Sequence, residues 1–117
     1  MIKIPNMSQY NKIILNTFKY SLNEITDYLN ELSPSTALNF ATALNQQLPQ
    51  ITATPFIYPP YENDDYFRKM VVIGWRYIVF YTVDEKNKTV ILYDIFHQSR
   101  NISDILLKKF PKGKTFF

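Results

Sequence analysis

Apolar positions change their period along this chain. Phe18, Leu22, Ile25, Leu29 and Leu32 recur at steps of four and three, which lays one apolar stripe along a helix. Its start is open between Thr17 as N-cap and Ser21-x-x-Glu24 as capping box. Ser33-Pro34-Ser35 then breaks the chain. A Ser followed by Pro at the first helical position signals a new helix. Ala37, Ala41, Leu44, Leu48 and Ile51 repeat the four-and-three step. Pro49 disfavours helical geometry at Leu48, so the second helix is expected to end near there. Two antiparallel helices with a short connection make an α-hairpin.

From Tyr66 to Arg100 the period falls to two. Val71–Ile73, Tyr77–Val83 and Thr89–Phe96 are rich in Val, Ile, Tyr and Phe, residues suited to a pleated, half-buried surface. Gly74 separates the first two runs, and Asp84 to Lys88 makes a hairpin loop before the third. The three read as an antiparallel meander. Alternation places Tyr77, Val79, Tyr81 and Val83 on one face, and Ile78, Phe80 and Thr82 on the other. In the last run Ile91, Tyr93, Ile95 and His97 share a face, with Asp94 opposite. Both faces are largely apolar, so each needs cover, and the helical stripe supplies it on one side.

The flanks are less regular. Met1 to Gln9 has no period and reads as a flexible leader. Tyr10 to Leu15 is either a short first strand or the start of one long helix. Pro55 to Tyr61 is a proline-punctuated loop, with Glu62, Asp64 and Asp65 as a solvated acidic stretch behind it. Ser103 is placed to cap a short C-terminal helix carrying Ile105, Leu106 and Phe110, ended by Pro111 and followed by a basic tail at 111–117. The expected architecture is one α+β domain over residues 1–117, with two N-terminal helices packed on a small twisted antiparallel sheet.

Composition narrows the chemistry. Two glycines leave no glycine-rich phosphate loop, and the absence of cysteine excludes disulfides and thiolate metal sites. One histidine leaves only carboxylates for a metal, so neither metal nor cofactor is expected. No signal-peptide core or membrane-length apolar run is present, which reads as a soluble cytoplasmic protein with no membrane role. The net charge of +3 is uneven. From residue 97 onward, Arg100, Lys108, Lys109, Lys112 and Lys114 face Asp104 alone, an excess of +4 that leaves the remainder at −1. Such an end either binds an anionic partner or is a solvated tail.

Two features carry candidate chemistry. His97 ends the last strand, where it is either structural or a general acid–base group. Arg68, Lys69, Arg76 and Arg100 form a cationic set around the sheet. Guanidinium groups suit phosphate because they stay charged and donate bidentately, although any single one is more often a surface side chain. Phosphodiester chemistry has a use for both, with Arg stabilising charge and His moving a proton. His97 is then expected at the edge of a concave surface near Arg68 or Arg100.

The order of elements and several motifs resemble the RelE/ParE superfamily of toxins from type II toxin–antitoxin modules. The similar features are Asp27-Tyr28-Leu29, Ala37 with Phe40, the Leu48-Pro49 to Pro55 region, Phe67-Arg68-Lys69-Met70, the Tyr77-to-Val83 run and, above all, Ile95-Phe96-His97-Gln98-Ser99-Arg100-Asn101. They span roughly residues 10 to 102. The resemblance implies a compact fold of two helices on a sheet and a cognate antitoxin protein as partner. It also implies one of two targets. RelE-like members cut mRNA on the ribosome with basic residues, often helped by His or Tyr. ParE-like members inhibit DNA gyrase and cut no RNA.

On the first reading the chain is a ribosome-dependent mRNA endoribonuclease, with His97 as acid–base group and Arg68, Arg76 and Arg100 stabilising phosphate charge. Lys69, Tyr81, Lys108, Lys109, Lys112 and Lys114 would then contact nucleic acid or antitoxin. On the second it is a gyrase inhibitor. On a third it is an inactive relative that only binds antitoxin. Ile78 stands where several ribonuclease members carry Arg, and Gln98 where some carry Tyr, with Arg76 as the nearby substitute cation. The assemblies implied are a homodimer or a toxin–antitoxin hetero-oligomer.

Overall fold

The computed structural model describes residues 9–62 and 64–99. Within them the chain runs β1 (Asn11–Ile14), α1 (Asn16–Leu32), α2 (Pro34–Ala53), β2 (Pro60–Tyr61), β3 (Asp64–Val71), β4 (Tyr77–Asp84) and β5 (Thr89–His97). The strands make one sheet in the order β1-β5-β4-β3-β2. The expected meander is β3–β4–β5, antiparallel at both junctions. The short C-terminal helix, the basic tail and all of the leader but Gln9 lie outside the described residues.

The sheet corrects the expectation of a wholly antiparallel arrangement. Tyr10 to Leu15 contains a strand, and β1 pairs in parallel with β5, from Asn11 opposite Thr89 to Ile14 opposite Leu92. Strand direction is a tertiary relation that side-chain alternation does not encode. Backbone bonds outside the ladder fix this strand at both ends, Tyr10 N–H to the Thr52 carbonyl at 2.9 Å and Leu15 N–H to that of Leu92 at 3.1 Å.

The first meander strand also starts earlier than its apolar run. It begins at Asp64 and ends at Val71, so Asp64 and Asp65 belong to a strand rather than a loop. Arg68 and Lys69 had hidden the alternation. Each is sheltered by an aromatic ring, Phe56 at 4.8 Å and Tyr61 at 5.9 Å from the respective cation. Val72 to Arg76 is the turn. It closes through Val72 N–H to the Tyr77 carbonyl, with Gly74 at φ +84° in the left-handed region that glycine adopts without strain.

Both helices follow their stripes, with different ends. Ser33 caps α2 as expected, its hydroxyl accepting the Thr36 N–H at 3.1 Å. Neither Thr17 nor Ser21 caps α1, which opens at Asn16 after Leu15 without a side-chain cap. The second helix runs through Pro49 to Ala53, past its expected end. An interior Pro removes one helical bond. Here burial of Ile51 and Thr52 outweighs that loss, and Thr54 N–H still reaches the Gln50 carbonyl.

The core has a helix-side and an outer cluster. On the helix side, Phe18, Leu29, Phe40, Leu44 and Ile51 meet Met70, Val79, Tyr81, Leu92 and Ile95. Leu22, Ile25 and Leu48 pack at its margin, Ala41 is half-buried, and Leu32 leaves the core at 61% exposed. The outer cluster is Phe67, Ile78, Phe80, Ile91, Tyr93 and Phe96.

A β-bulge interrupts β5. Phe80 pairs with Asp94 but Tyr81 with Leu92, so Tyr93 is an extra residue. A bulge shifts the alternation beyond it. Ile91 and Tyr93 therefore lie in the outer cluster while Ile95 lies in the helix-side one. The expectation that Ile91, Tyr93, Ile95 and His97 share one face is corrected accordingly. The carbonyl of Tyr93 accepts the Thr17 hydroxyl at 2.6 Å. Thr17 thus ties α1 to the bulge instead of capping its own helix.

Gln47 was not singled out by any pattern. Its buried amide donates to the Val71 carbonyl at 2.7 Å and accepts the Ile73 N–H at 2.9 Å. It serves β3 as a substitute strand and joins α2 to the turn. Replacing Leu29 or Leu44 with Ala is expected to destabilise the fold by about 2–5 kcal/mol. Gln47→Ala, which leaves two backbone groups unpaired, is expected to cost about 1–3 kcal/mol. Urea unfolding measures all three.

Candidate functional site

The shift in alternation brings His97 to the helix side. It stands opposite Tyr77, and the two rings meet edge to face at 5.2 Å. Beyond them Gln98 N–H donates to the Arg76 carbonyl at 2.9 Å. That bond holds the turn after Gly74 against the end of β5. Trp75, Arg76, Tyr77 and His97 therefore occupy one corner.

Two hollows open there. The larger, about 590 Å³, is lined by Tyr28, Trp75, Arg76, Tyr77, His97 and Ser99, among others. The smaller, about 350 Å³, runs along α1 and includes Tyr20, Glu24, Tyr28, Tyr77, Phe96 and His97. Tyr28, Tyr77 and His97 line both, so the two are neighbouring parts of one concavity. Burial raises the Tyr77 phenol above its ordinary value, and the nearby Tyr28 phenol adds to the shift.

The His97 ring is oriented by Ser99. The Ser99 N–H donates to Nδ1 at 3.1 Å, and the Ser99 hydroxyl lies 2.7 Å from the same atom. A backbone donor aimed at Nδ1 makes it an acceptor, so the neutral ring carries its hydrogen on Nε2. Nε2–H is then the group left for a ligand.

The other expected site residues are distributed elsewhere. Arg68 pairs with Tyr81 across β3 and β4, four residues along β4 from Tyr77, which is about 13 Å of strand. Its guanidinium donates to the Tyr58 carbonyl at 2.7 Å and covers the Phe56 ring. Tyr81 is fully buried and donates to the Pro55 carbonyl at 2.6 Å. Both hold the loop between α2 and β2. Lys69 lies opposite Phe80, on the outer face. Arg100, Lys108, Lys109, Lys112 and Lys114 lie outside the described residues. Of the expected set, the described structure brings together His97 and Arg76.

Tyr28, Trp75, Tyr77 and Glu24 were not singled out as site residues. Tyr77 sat in a strand run and Tyr28 and Glu24 on a helix, where nothing distinguishes a wall from a surface. Among the described residues no His, Asp or Glu cluster could hold a metal, and no described helix is long and apolar enough to cross a membrane.

The family model described as the ParE toxin of the type II toxin–antitoxin system parDE matches residues 13–102. No curated protein matches the sequence. Among solved structures, the chromosomal ParDE toxin–antitoxin system of P. aeruginosa aligns with a TM-score of 0.66 at 14% identity, covering 77% of this chain and 97% of that one. A mutant of the E. coli toxin RelE in the free state aligns at 0.57 and 13% identity, covering 87% and 98%. The RelBE2 toxin–antitoxin complex of Mycobacterium tuberculosis aligns at 0.53 and 16%, covering 80% and 97%. At these identities the likeness is one of fold.

Buried phenols make the fold sensitive to alkali. Burial pushes Tyr81 and Tyr93 well above the ordinary tyrosine value, and for Tyr93 the bond with the Tyr66 hydroxyl adds to it. A raised folded value favours the folded state fully below the unfolded value of about 10, and that contribution is lost as pH rises through the folded one. Ultraviolet titration is expected to show these two phenols un-ionised above pH 10 until unfolding. Tyr93→Phe is expected to flatten the alkaline loss of stability.

Proposed function

The chain belongs to the ParE toxin family of type II toxin–antitoxin systems, and from that premise we propose that it arrests growth by binding a protein target, DNA gyrase, rather than by cutting RNA. Its activity would be held in check by a cognate antitoxin, as expected from structural neighbours that are toxin–antitoxin assemblies. Acting on gyrase, it works in the cytoplasm.

The observation that carries this reading is the charge of the concavity's α1 wall. Glu24 lines the hollow, and Glu24, Asp27 and Glu31 are all exposed on α1 with Lys19 as its one cation. RNA brings a negative charge with every nucleotide, and a groove that tracks it needs the opposite sign. Among the described cations only Arg76 lines the concavity, while Arg68 is engaged with the loop between α2 and β2. An aromatic, mixed-charge hollow suits a protein surface better.

A second reading keeps one observation in its favour. His97 and Arg76 share a corner, with Nδ1 of the ring already held, which is a usable pair for phosphodiester chemistry. Two assays separate the readings. Purified protein is expected to inhibit DNA supercoiling by gyrase and to leave ribosome-bound mRNA intact. Cleaved mRNA together with unaffected gyrase would reverse the assignment. In that case His97→Ala is expected to slow cleavage by about 10²–10⁴-fold.

A further inference from the structure

The outer cluster is Phe67, Ile78, Phe80, Ile91, Tyr93 and Phe96, and each is between 0% and 7% exposed. All stand on β3, β4 or β5. A sheet face without a covering layer leaves its side chains open to water. Both described helices pack on the opposite face, and none of their residues belongs to this cluster. Leu15, Tyr61 and Tyr66 are partly buried at its margin. Three such side chains are too few to close over a face of this size. The single chain buries the cluster by itself, so the covering layer is part of the chain and lies outside residues 9–62 and 64–99.

Apart from residue 63, two stretches remain to supply it, and their points of entry differ. The leader joins at Gln9, next to Tyr10, whose N–H bonds to the Thr52 carbonyl of α2. It arrives on the helix side. The C-terminal stretch follows Ser99, three positions beyond Phe96 of the cluster itself. It starts from β5, and crossing two strands to β3 requires about 10 Å. Residues 102–110 at helical rise span about 13 Å. They carry Ile102, Ile105, Leu106 and Phe110, one apolar stripe with Asp104 and Lys108 on the other side. An apolar stripe needs a surface, and an apolar sheet face needs a cover. The family model ends at residue 102, so this stretch is an addition to the part that the model describes.

We propose that residues 102–110 lie across the outer face of the sheet, with Ile105, Leu106 and Phe110 against Phe80, Tyr93 and Phe96, and serve as an internal partner for that face. The outer face is then closed to an antitoxin or a second copy of the chain. Outside partners are left with the helix side and the His97–Arg76 hollow. The cations Lys108, Lys109, Lys112 and Lys114 are carried to the side of the sheet away from that hollow. The inference rests on burial and chain length, and neither the toxin reading nor its target enters it.

Nuclear Overhauser contacts in isotope-labelled full-length protein test this directly. Methyl groups of Ile105 and Leu106 are expected to show contacts to the rings of Phe80, Tyr93 or Phe96. Absence of such contacts, or contacts from Ile2 or Ile4 in their place, overturns the proposal. So do contacts that cross between molecules in a mixture of labelled and unlabelled protein, which would give the face to a second copy. The triple change Ile105→Ser, Leu106→Ser, Phe110→Ser in the full chain is expected to lower the thermal midpoint by more than about 10 °C. It is also expected to admit a dye that binds exposed apolar surface. Asp104→Ser with Lys108→Ser, on the other side of the stripe, is expected to leave both readings at the wild-type value. A triple variant as stable as wild type overturns the proposal. If that variant does not fold, the contacts in the wild-type protein decide.

Discussion

The bulge at Tyr93 is the constraint on which the rest of this structure depends. One extra residue in β5 reverses which side chains face the helices beyond it. Without it Ile95 and His97 would point to the outer face and the helix-side core would lose a member. At the bulge the Tyr93 carbonyl accepts the Thr17 hydroxyl. Helix α1 is thereby placed relative to the strand that carries His97. The concavity between them is a consequence of that placement.

A second tie sets the other wall. Gln47 reaches from α2 to both Val71 and Ile73, and the Gln98 N–H reaches from the end of β5 to Arg76. The turn between β3 and β4 is therefore held from both sides. Trp75 packs edge to face on Phe40 at 5.2 Å, so the aromatic wall of the hollow is continuous with the core. Rigid support of this kind limits how far a binding surface can relax without its ligand.

Charge is divided in the same economical way. Arg68 acts as a staple, between the Tyr58 carbonyl and the Phe56 ring, rather than as a free cation. Arg76 is left at the hollow, which Tyr28 and Leu29 of α1 also line. Two arginines that look alike in sequence are thus placed differently among the described residues.

Local order was legible in the sequence. The four-and-three steps located both helices, Ser33-Pro34 marked their junction, and period-two runs located β4 and β5, because each signal is a property of near neighbours in the chain. His97 and Arg76 stood out as candidates from residue type alone. The direction of β1, the continuation of α2 past Pro49 and the start of β3 were not legible, because each is decided by burial against residues distant in the chain. Nor was the partnership of His97. Alternation assigned it a face that one extra residue in β5 reversed, and Arg68, equally basic in sequence, was taken up by a loop. Those outcomes belong to the tertiary structure, where a side chain's neighbours are set by strand register and packing rather than by its place in the sequence.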